Sequence, residues 1–444
     1  MNRVSLLVLC LLFLVTLPAA SQKQSSARPS VNASKLIALK VTGTSHYSDK
    51  EILAASGLQI GQNVADADFK EAVQRLGDSG LFSNVAYSFS SSPSGTKLEI
   101  QLADTDASKL VPAHFENLVW FTDDELRTAL QSHVPLFKEL LPLGGNLPDR
   151  VNQALQAILA EKQFPGHVSY LREGDENGGP LSAVVYRVEE VSIRIRGVEF
   201  PGASPEQAEL LAKAGRRLKG AEYSRSTLAA TAKFDLLTVY LQRGYLKATF
   251  GPSDARVVPE SSSPADTQTT ADVRVDAIVP VIPGKIYSTS GVDWKGNSVI
   301  TTAQLAPLIH LPPSQPADAV RLLNDLEKVT KLYRSRGYIT VKIKPDAQFD
   351  EDKSAVHYDL NVAEGDQYKM GELEITGLDS QTRTRMVEAW TLSEGKPYDA
   401  DYPNTFLEDT RRILPGEVPW HAEIHESPDA KAKVVDVEIR FKQR

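Results

Sequence analysis

The chain has 444 residues, 41% of them hydrophobic and 24% charged, which is ordinary for a globular protein, and it carries a formal charge of −8. An acidic chain with no Lys/Arg block excludes general nucleic-acid binding. A single cysteine, Cys10, excludes a disulfide framework.

Met1-Asn2-Arg3 is a short positive segment, residues 4–17 are almost wholly apolar, and Pro18-Ala19-Ala20 supplies small residues before Ser21. The pattern predicts a secretory signal peptide over residues 1–20, because the apolar run is shorter than the ~20 residues of a comfortable membrane span. An uncleaved anchor is the rival reading. Cys10 falls inside that run, so the mature chain is expected to lack cysteine, which suits a bacterial periplasm. Residues 21–34 are polar and read as a flexible leader. No later apolar run reaches about 18 residues, so the processed protein is expected to be at most peripheral to a membrane.

From residue 35 a phrase recurs about every 80 to 95 residues: an aliphatic strand ending in a glycine turn, two helical stretches, a Gly-aromatic turn, then a hairpin. In the first copy, residues 35–106, Leu39 and Val41 alternate with Lys40 before Gly43. A helix starts at Asp49 with Ser48 as N-cap, and a second covers residues 66–76. After Gly80-Leu81-Phe82, Val85, Tyr87 and Phe89 alternate with small polar residues, and Leu98, Ile100 and Leu102 form the return strand.

Residues 107–190 form a divergent second copy. Its Gly-aromatic turn has become Gln163-Phe164-Pro165, and Val134-Pro135-Leu136-Phe137 with Leu140-Leu141-Pro142-Leu143 adds an apolar insertion between its helices. Completing the local core is the first expectation for that insertion, and a docking surface the second. The third copy, 191–283, opens with Ile193 to Gly197, carries Arg243-Gly244-Tyr245 and is lengthened by a polar insertion at Ser261-Ser262-Ser263-Pro264. The fourth, 284–364, has Trp294-Lys295-Gly296, a helix over 317–335 and Arg336-Gly337-Tyr338. The fifth, 365–444, opens after Glu364-Gly365, includes Ile375-Thr376-Gly377 and ends with Val435, Val437, Ile439 and Phe441 alternating with charged residues. The fold class is α+β: a tandem array of five small β-α-α-β-β domains, each a three-stranded mixed sheet covered by two helices.

Catalytic signals are weak. Gly77-Asp78-Ser79-Gly80 imitates a protease nucleophile loop but coincides with the recurrent Gly-aromatic turn. His421 and His425 alternate with Trp420, Ala422 and Ile424, which predicts a strand whose rise separates the two rings by about 13 Å. Asp123-Asp124-Glu125 sits at a helix start, where the helix dipole favours it. The expectation is no enzyme, no catalytic or metal site and no cofactor.

The order and recurrence of these motifs, with Gly284-Lys285-Ile286-Tyr287 and Glu364-Gly365-Asp366-Gln367-Tyr368 leading into new copies, resemble the POTRA (polypeptide-transport-associated) domains of the outer-membrane barrel-assembly family. The turns that carry the resemblance are Gly43, Gly80, Gly197, Gly244, Gly296, Gly337, Gly365 and Gly377. It implies a periplasmic protein of outer-membrane protein assembly that binds unfolded outer-membrane protein precursors. Further implied partners are a separate outer-membrane β-barrel or assembly lipoproteins. Family members continue into a membrane barrel, whereas this sequence stops at Arg444 after its last strand, so an arm without its barrel is expected.

Within a β-α-α-β-β unit the first strand is expected beside the last, which leaves the middle strand at an edge open to β-augmentation. The candidate edges are Val85, Tyr87 and Phe89; Leu246, Lys247 and Ala248; and Val341, Lys342 and Ile343, extending to Phe250 and Lys344. The edge lysines have a plainer expected role in preventing aggregation. A connector of the cell envelope or division machinery is the alternative function.

Overall fold

A computed structural model describes residues 34–174, 180–259, 271–416 and 419–443. The expected signal peptide, nearly all of the leader and the Ser261-to-Pro264 insertion lie outside the described residues. The chain forms two compact units. One holds the described residues up to 113 with 127–155 and the described part of 172–184; the other holds 114–126, 156–171 and the described residues from 185 onward. Among the described residues no helix is long and apolar enough to cross a membrane.

In the first copy, strand Ser34–Thr42 runs parallel to Gly95–Asp104, which pairs antiparallel with Phe82–Ser92. Helix Asp49–Ser56 starts at a capping box in which Ser48 and Glu51 satisfy each other's backbone N–H groups. Helix Asp66–Asp78 buries Phe69, Ala72 and Leu76, spaced three and four residues apart as a core-facing stripe requires.

The same order recurs. In the second copy the sheet runs Leu140–Pro142, Leu110–Phe115, Leu181–Glu189, His167–Gly174. In the third it runs Asp254–Val257, Ala271–Ile278, Val191–Glu199; in the fourth Ser288–Lys295, Ala355–Ala363, Lys342–Asp350; in the fifth Lys369–Thr376, Val434–Gln443, Trp420–Asp429. Where the pairing is resolved, first and last strands run parallel and the hairpin antiparallel.

The last strand of each copy lies inside its sheet, flanked on both sides, so its side chains on the helix-covered face are the most deeply buried. Val435, Val437, Ile439 and Phe441 are buried while Asp436, Glu438 and Arg440 point away. Each such side chain contributes roughly 1.5–3 kcal/mol of burial. Helix Ala319–Arg334 closes the fourth copy with Leu322, Leu326, Val329 and Tyr333 buried and Asp318 accepting the Arg321 N–H at its start. In the third copy the corresponding helical stretch is broken by a π-turn at Ala232–Leu236 between Arg225–Thr231 and Leu237–Leu241.

The inserted segment of the second copy belongs to the core. Val134, Leu136, Phe137 and Leu141 are buried, and only Leu140 of this group is largely exposed. One turn glycine differs from expectation. Gly197 lies inside strand Val191–Glu199 without a positive φ, and Gly202 has the left-handed turn instead. A side chain at 197 would press on the Asp276 carboxylate, which is hydrogen-bonded to the Arg196 guanidinium. The glycine therefore makes room for that pair. Gly43, Gly80, Gly244, Gly296, Gly337, Gly365 and Gly377 all have positive φ.

Candidate peptide-binding edges and repeat junctions

In the sheets of the five copies the strand that precedes the last one is terminal: Phe82–Ser92, His167–Gly174, Asp254–Val257, Lys342–Asp350 and Trp420–Asp429. The opposite edge, formed by the first strand, is partly covered. Asn63–Val64 pairs with the first of these strands and Leu140–Pro142 with the second. Isolated bridges Arg194–Glu222, Ser288–Pro316 and Lys369–Pro397 touch the other three. The two edges are thus unequal.

Prolines reveal which way the terminal strands face. Pro345 and Pro428 lie within Lys342–Asp350 and Trp420–Asp429. Proline has no N–H to give a ladder, so its nitrogen must face away from the partner strand. By alternation Ile343, Ala347 and Phe349 also turn their main chain outward, and they share a face with the buried Val362, Tyr358 and Val356 opposite them. Core-facing residues on these edges therefore carry the outward N–H and C=O groups. Val85, Tyr87 and Phe89 stand opposite Leu102, Ile100 and Leu98 on the buried face of the first sheet.

The expected edge at Leu246, Lys247 and Ala248 is not a strand. These residues form a turn, with the Ala248 N–H donating to the Tyr245 carbonyl at 3.2 Å. Only Thr249–Phe250 is extended, and it pairs with Val281–Ile282. Asp254–Val257 is the edge of the separate three-stranded sheet with Ala271–Ile278 and Val191–Glu199. Val341 likewise precedes its strand, its N–H donating to the Tyr338 carbonyl, while Lys342 and Ile343 begin the strand.

The physical reason lies in the next copy. The Lys247 ammonium is paired with the Glu351 carboxylate and sits 4.3 Å from the Phe349 ring centre and 5.5 Å from that of Tyr287. The Tyr287 hydroxyl donates to both Glu351 oxygens, at 2.9 and 3.1 Å, and Lys285 lies 3.7 Å away. Hydrogen bonds from Lys247 and Tyr287 hold the Glu351 carboxyl below its usual range, and Glu351 in turn raises Lys247. Lys247 is a junction residue.

Main-chain bonds complete this joint. The Tyr287 N–H donates to the Gly244 carbonyl and the Ala317 N–H to the Tyr287 carbonyl, both at 2.8 Å. The same pattern returns between the fourth and fifth copies, where Tyr368 donates to Gly337 at 2.8 Å and Tyr398 to Tyr368 at 2.9 Å. The Gly244 and Gly337 turns are thereby stitched to the residue that leads into the first strand of the following copy. Close approach is why glycine is needed: a Cβ at Gly337 would collide with the Tyr368 carbonyl oxygen.

Ser79 is fully buried, and its hydroxyl donates to the Leu76 carbonyl at 2.6 Å. His421 and His425 lie on strand Trp420–Asp429, as their alternation predicts, but both rings lean to 3.9 Å from Glu423. They converge more than the strand rise alone implies. Lys442 holds the Glu423 carboxylate at 2.8 and 2.9 Å. Asp293, His357 and Asp359 place potential ligand atoms within 4.8 Å of one another on the open face of the fourth sheet. Lys295 already pairs with Asp359 at 2.8 Å, so a cation would compete with that ammonium.

A feature absent from the expected sites is a cleft of about 390 Å³ beside Asp254–Val257, walled by Trp120, Phe121 and Phe164. Trp120 stacks on Phe164 at 5.2 Å, and Phe121 meets the same ring edge-on at 5.6 Å. The neighbouring aromatics Trp120-Phe121 and the residual aromatic at the degenerate turn, Phe164, were the available sequence signal.

The POTRA family, described as a surface antigen variable number repeat, matches residues 287–365. The outer membrane protein assembly factor BamA of Neisseria meningitidis serogroup B is 23% identical over 232 residues, which cover 49% of this chain and 28% of that protein. The match thus spans less than a third of that relative's length. The crystal structure of Haemophilus influenzae BamA POTRA3-5 aligns with a TM-score of 0.43 at 18% identity, over 57% of this chain and 96% of that one. POTRA1-3 of the periplasmic domain of Omp85 from Anabaena gives a TM-score of 0.25 at 18% identity, over 56% and 95%. Residues 287–365 thus carry the POTRA match, and the strand order of that copy returns in four further sheets, so the chain is an array similar to the POTRA domains of BamA.

Proposed function

We propose that this chain is a periplasmic binding and scaffold protein of outer-membrane protein assembly. It captures extended segments of barrel precursors, or of partner subunits, by adding them as strands to the open edges of its sheets. The observation that carries this reading is the terminal position, in the sheets of the five copies, of the strand that precedes the last one. Main-chain hydrogen bonding asks little of the incoming sequence, which suits a receptor for many clients. The reading takes the domains as 35–106, 107–190, 191–283, 284–364 and 365–444 behind a signal peptide over 1–20, and it assigns no enzymatic role.

The test is capture from envelope extracts by the mature chain and by a Val85→Pro/Ala347→Pro variant. Ala347 directs its N–H outward and Val85 shares the core-facing alternation, so proline there removes edge donors while sparing the ladder. Loss of barrel-precursor capture is the expected result. Equal capture by both proteins refutes strand addition at these edges, and recovery of division proteins alone favours the envelope-connector function.

A further inference from the structure

The open face of the fourth sheet breaks a charge rule that the first sheet keeps. In the first copy Lys40, three residues before the turn glycine Gly43, stands opposite Glu99 and pairs with it at 3.2 Å. At the matching place before Gly296, Asp293 of Ser288–Lys295 stands opposite Asp359 of Ala355–Ala363. On the other side of Asp359 stands Asp346 of Lys342–Asp350. Three carboxylates thus share one rung, and like charges directly opposed on neighbouring strands repel. Val356, Tyr358 and Leu360 are buried, so by alternation this rung and His357 lie on the face away from the core.

An imidazole separates this group from an ordinary acidic patch. His357 occupies the next position on the same face, opposite Gly291. A Cβ at Gly291 would stand 3.1 Å from both Cε1 and Nδ1 of the ring, so the glycine gives the imidazole its room. Nε2 points at Asp293, 3.1 Å from its Oδ2. Two ligand atoms bound to one tetrahedral zinc ion are themselves about 3.3 Å apart. The pair already has nearly that spacing, and an Asp359 oxygen completes a trio within 4.8 Å. One imidazole with carboxylates is a donor set for a divalent transition metal, whereas Ca2+ and Mg2+ take shells of oxygen.

One ammonium serves this whole rung. Lys295 holds Asp359 at 2.8 Å. The hydrogen bond to Asp359, with the charges of Asp359, Asp293 and Asp346 behind it, raises Lys295 above the ordinary lysine value. The fifth copy supplies the contrast. Glu374 opposes Glu438 there, but the Arg440 guanidinium takes both Glu438 oxygens, at 2.5 and 2.8 Å. Lysine has no such fork, so the fourth sheet keeps carboxylate oxygens to offer.

We propose that Asp293, His357 and Asp359 form a binding site for a divalent transition-metal ion of the zinc type, with Lys295 as the internal cation that the metal displaces. Three protein ligands leave a tetrahedral ion one further position, on the solvent side of the sheet.

The probe is Zn2+, titrated calorimetrically into the full mature chain, and one equivalent is expected to bind. His357→Gln and Asp293→Asn should each weaken that binding at least about tenfold. Lys295→Met should strengthen it about fivefold, because the competing ammonium is gone. The double variant His421→Gln/His425→Gln, which removes the histidine pair beside Glu423, should leave it unchanged. A measurement on unaltered protein guards against misfolded variants: with isotope-labelled histidine, Zn2+ should shift the ring nitrogens of one residue, and His357→Gln should lack that signal.

No saturation by about 1 mM free Zn2+ overturns the proposal. So does full affinity in His357→Gln, or a loss confined to the His421→Gln/His425→Gln variant. Displacement of Zn2+ by an equal concentration of Mg2+ would show a general acidic patch and overturn it too. Unchanged affinity in Lys295→Met removes Asp359 from the ligand set, and the three-residue site with it.

Discussion

The first and third sheets are built to the same order, yet their edges differ. After Gly80, Phe82–Ser92 runs for eleven residues as an edge strand. After Gly244 the chain turns, pairs briefly through Thr249–Phe250, and reaches its edge only at Asp254–Val257, four residues long. Both turns place a left-handed glycine at the same point of the phrase. What differs is Lys247, which Glu351 holds across 104 residues of sequence. The glycine sets where the chain turns, and the contact with the next copy sets where the strand begins.

The two sheets also differ in how first and last strands are pinned together. In the first, Lys40 and Glu99 pair at 3.2 Å with both side chains well exposed. In the third, Arg196 pairs with Asp276, whose side chain is only 7% exposed. Burial makes the second pair the more consequential one to break, because a deprived carboxylate cannot turn to water.

The largest effect that would sharpen this comparison is expected from Gly244→Ala. A Cβ there meets the Tyr287 carbonyl oxygen at 2.7 Å on a backbone with φ of +83°. A loss of roughly 2–4 kcal/mol in denaturant unfolding is expected. Gly61→Ala, with φ of +90° and nothing within 4 Å, isolates the conformational part and should cost only about 1 kcal/mol. Equal losses would show that close approach to the next copy does not set the glycine requirement.

Next comes Asp276→Asn, expected to cost about 1–3 kcal/mol. Glu99→Gln at the matching place in the first sheet should cost less than about 0.5 kcal/mol. Comparable values would remove the distinction between the two sheets.

A pH series gives a subtler reading of the same difference. The hydrogen bond from Arg196, aided by Arg256, holds the Asp276 carboxyl below its ordinary value. Its folded pKa lies under its unfolded one, so its stabilisation is present above about pH 4 and is lost as pH falls through the folded value. Glu351 follows the same sign through Lys247 and Tyr287. Thermal melts between pH 7 and pH 2.5 should therefore fall less steeply for Asp276→Asn and Glu351→Gln than for the parent. Parallel curves would mean that neither carboxylate is linked to folding.

The smallest effect is expected at Lys342, exposed at the start of its strand and assigned the plainer edge role. Lys342→Ala should change stability by less than about 0.5 kcal/mol. A larger change would give that lysine a structural partner like that of Lys247.

Much of the architecture was readable because it is local. Val435, Val437, Ile439 and Phe441 announce a half-buried strand by period alone, and Ser48 with Glu51 announces a helix start. Leu246, Ala248 and Phe250 show the same alternation as Val85, Tyr87 and Phe89, but the former lie in or after a turn. Nothing within five residues distinguishes the two cases. Gly197 misled for a similar reason: it follows an aliphatic run as Gly43 does, but its absent side chain accommodates Asp276, about 80 residues away, rather than a turn.

By itself the sequence determined the recurrent β-α-α-β-β order, the central place of each last strand and most of the turn glycines. Short-range periodicity and backbone sterics act within a few residues, so these features needed no knowledge of the rest of the chain. Only the tertiary structure decided that Lys247 fastens a junction, that the third edge is Asp254–Val257, and that Trp120, Phe121 and Phe164 gather beside it. Those outcomes depend on side chains tens of residues to about a hundred residues apart. Such contacts follow from how neighbouring copies pack, which no local pattern encodes.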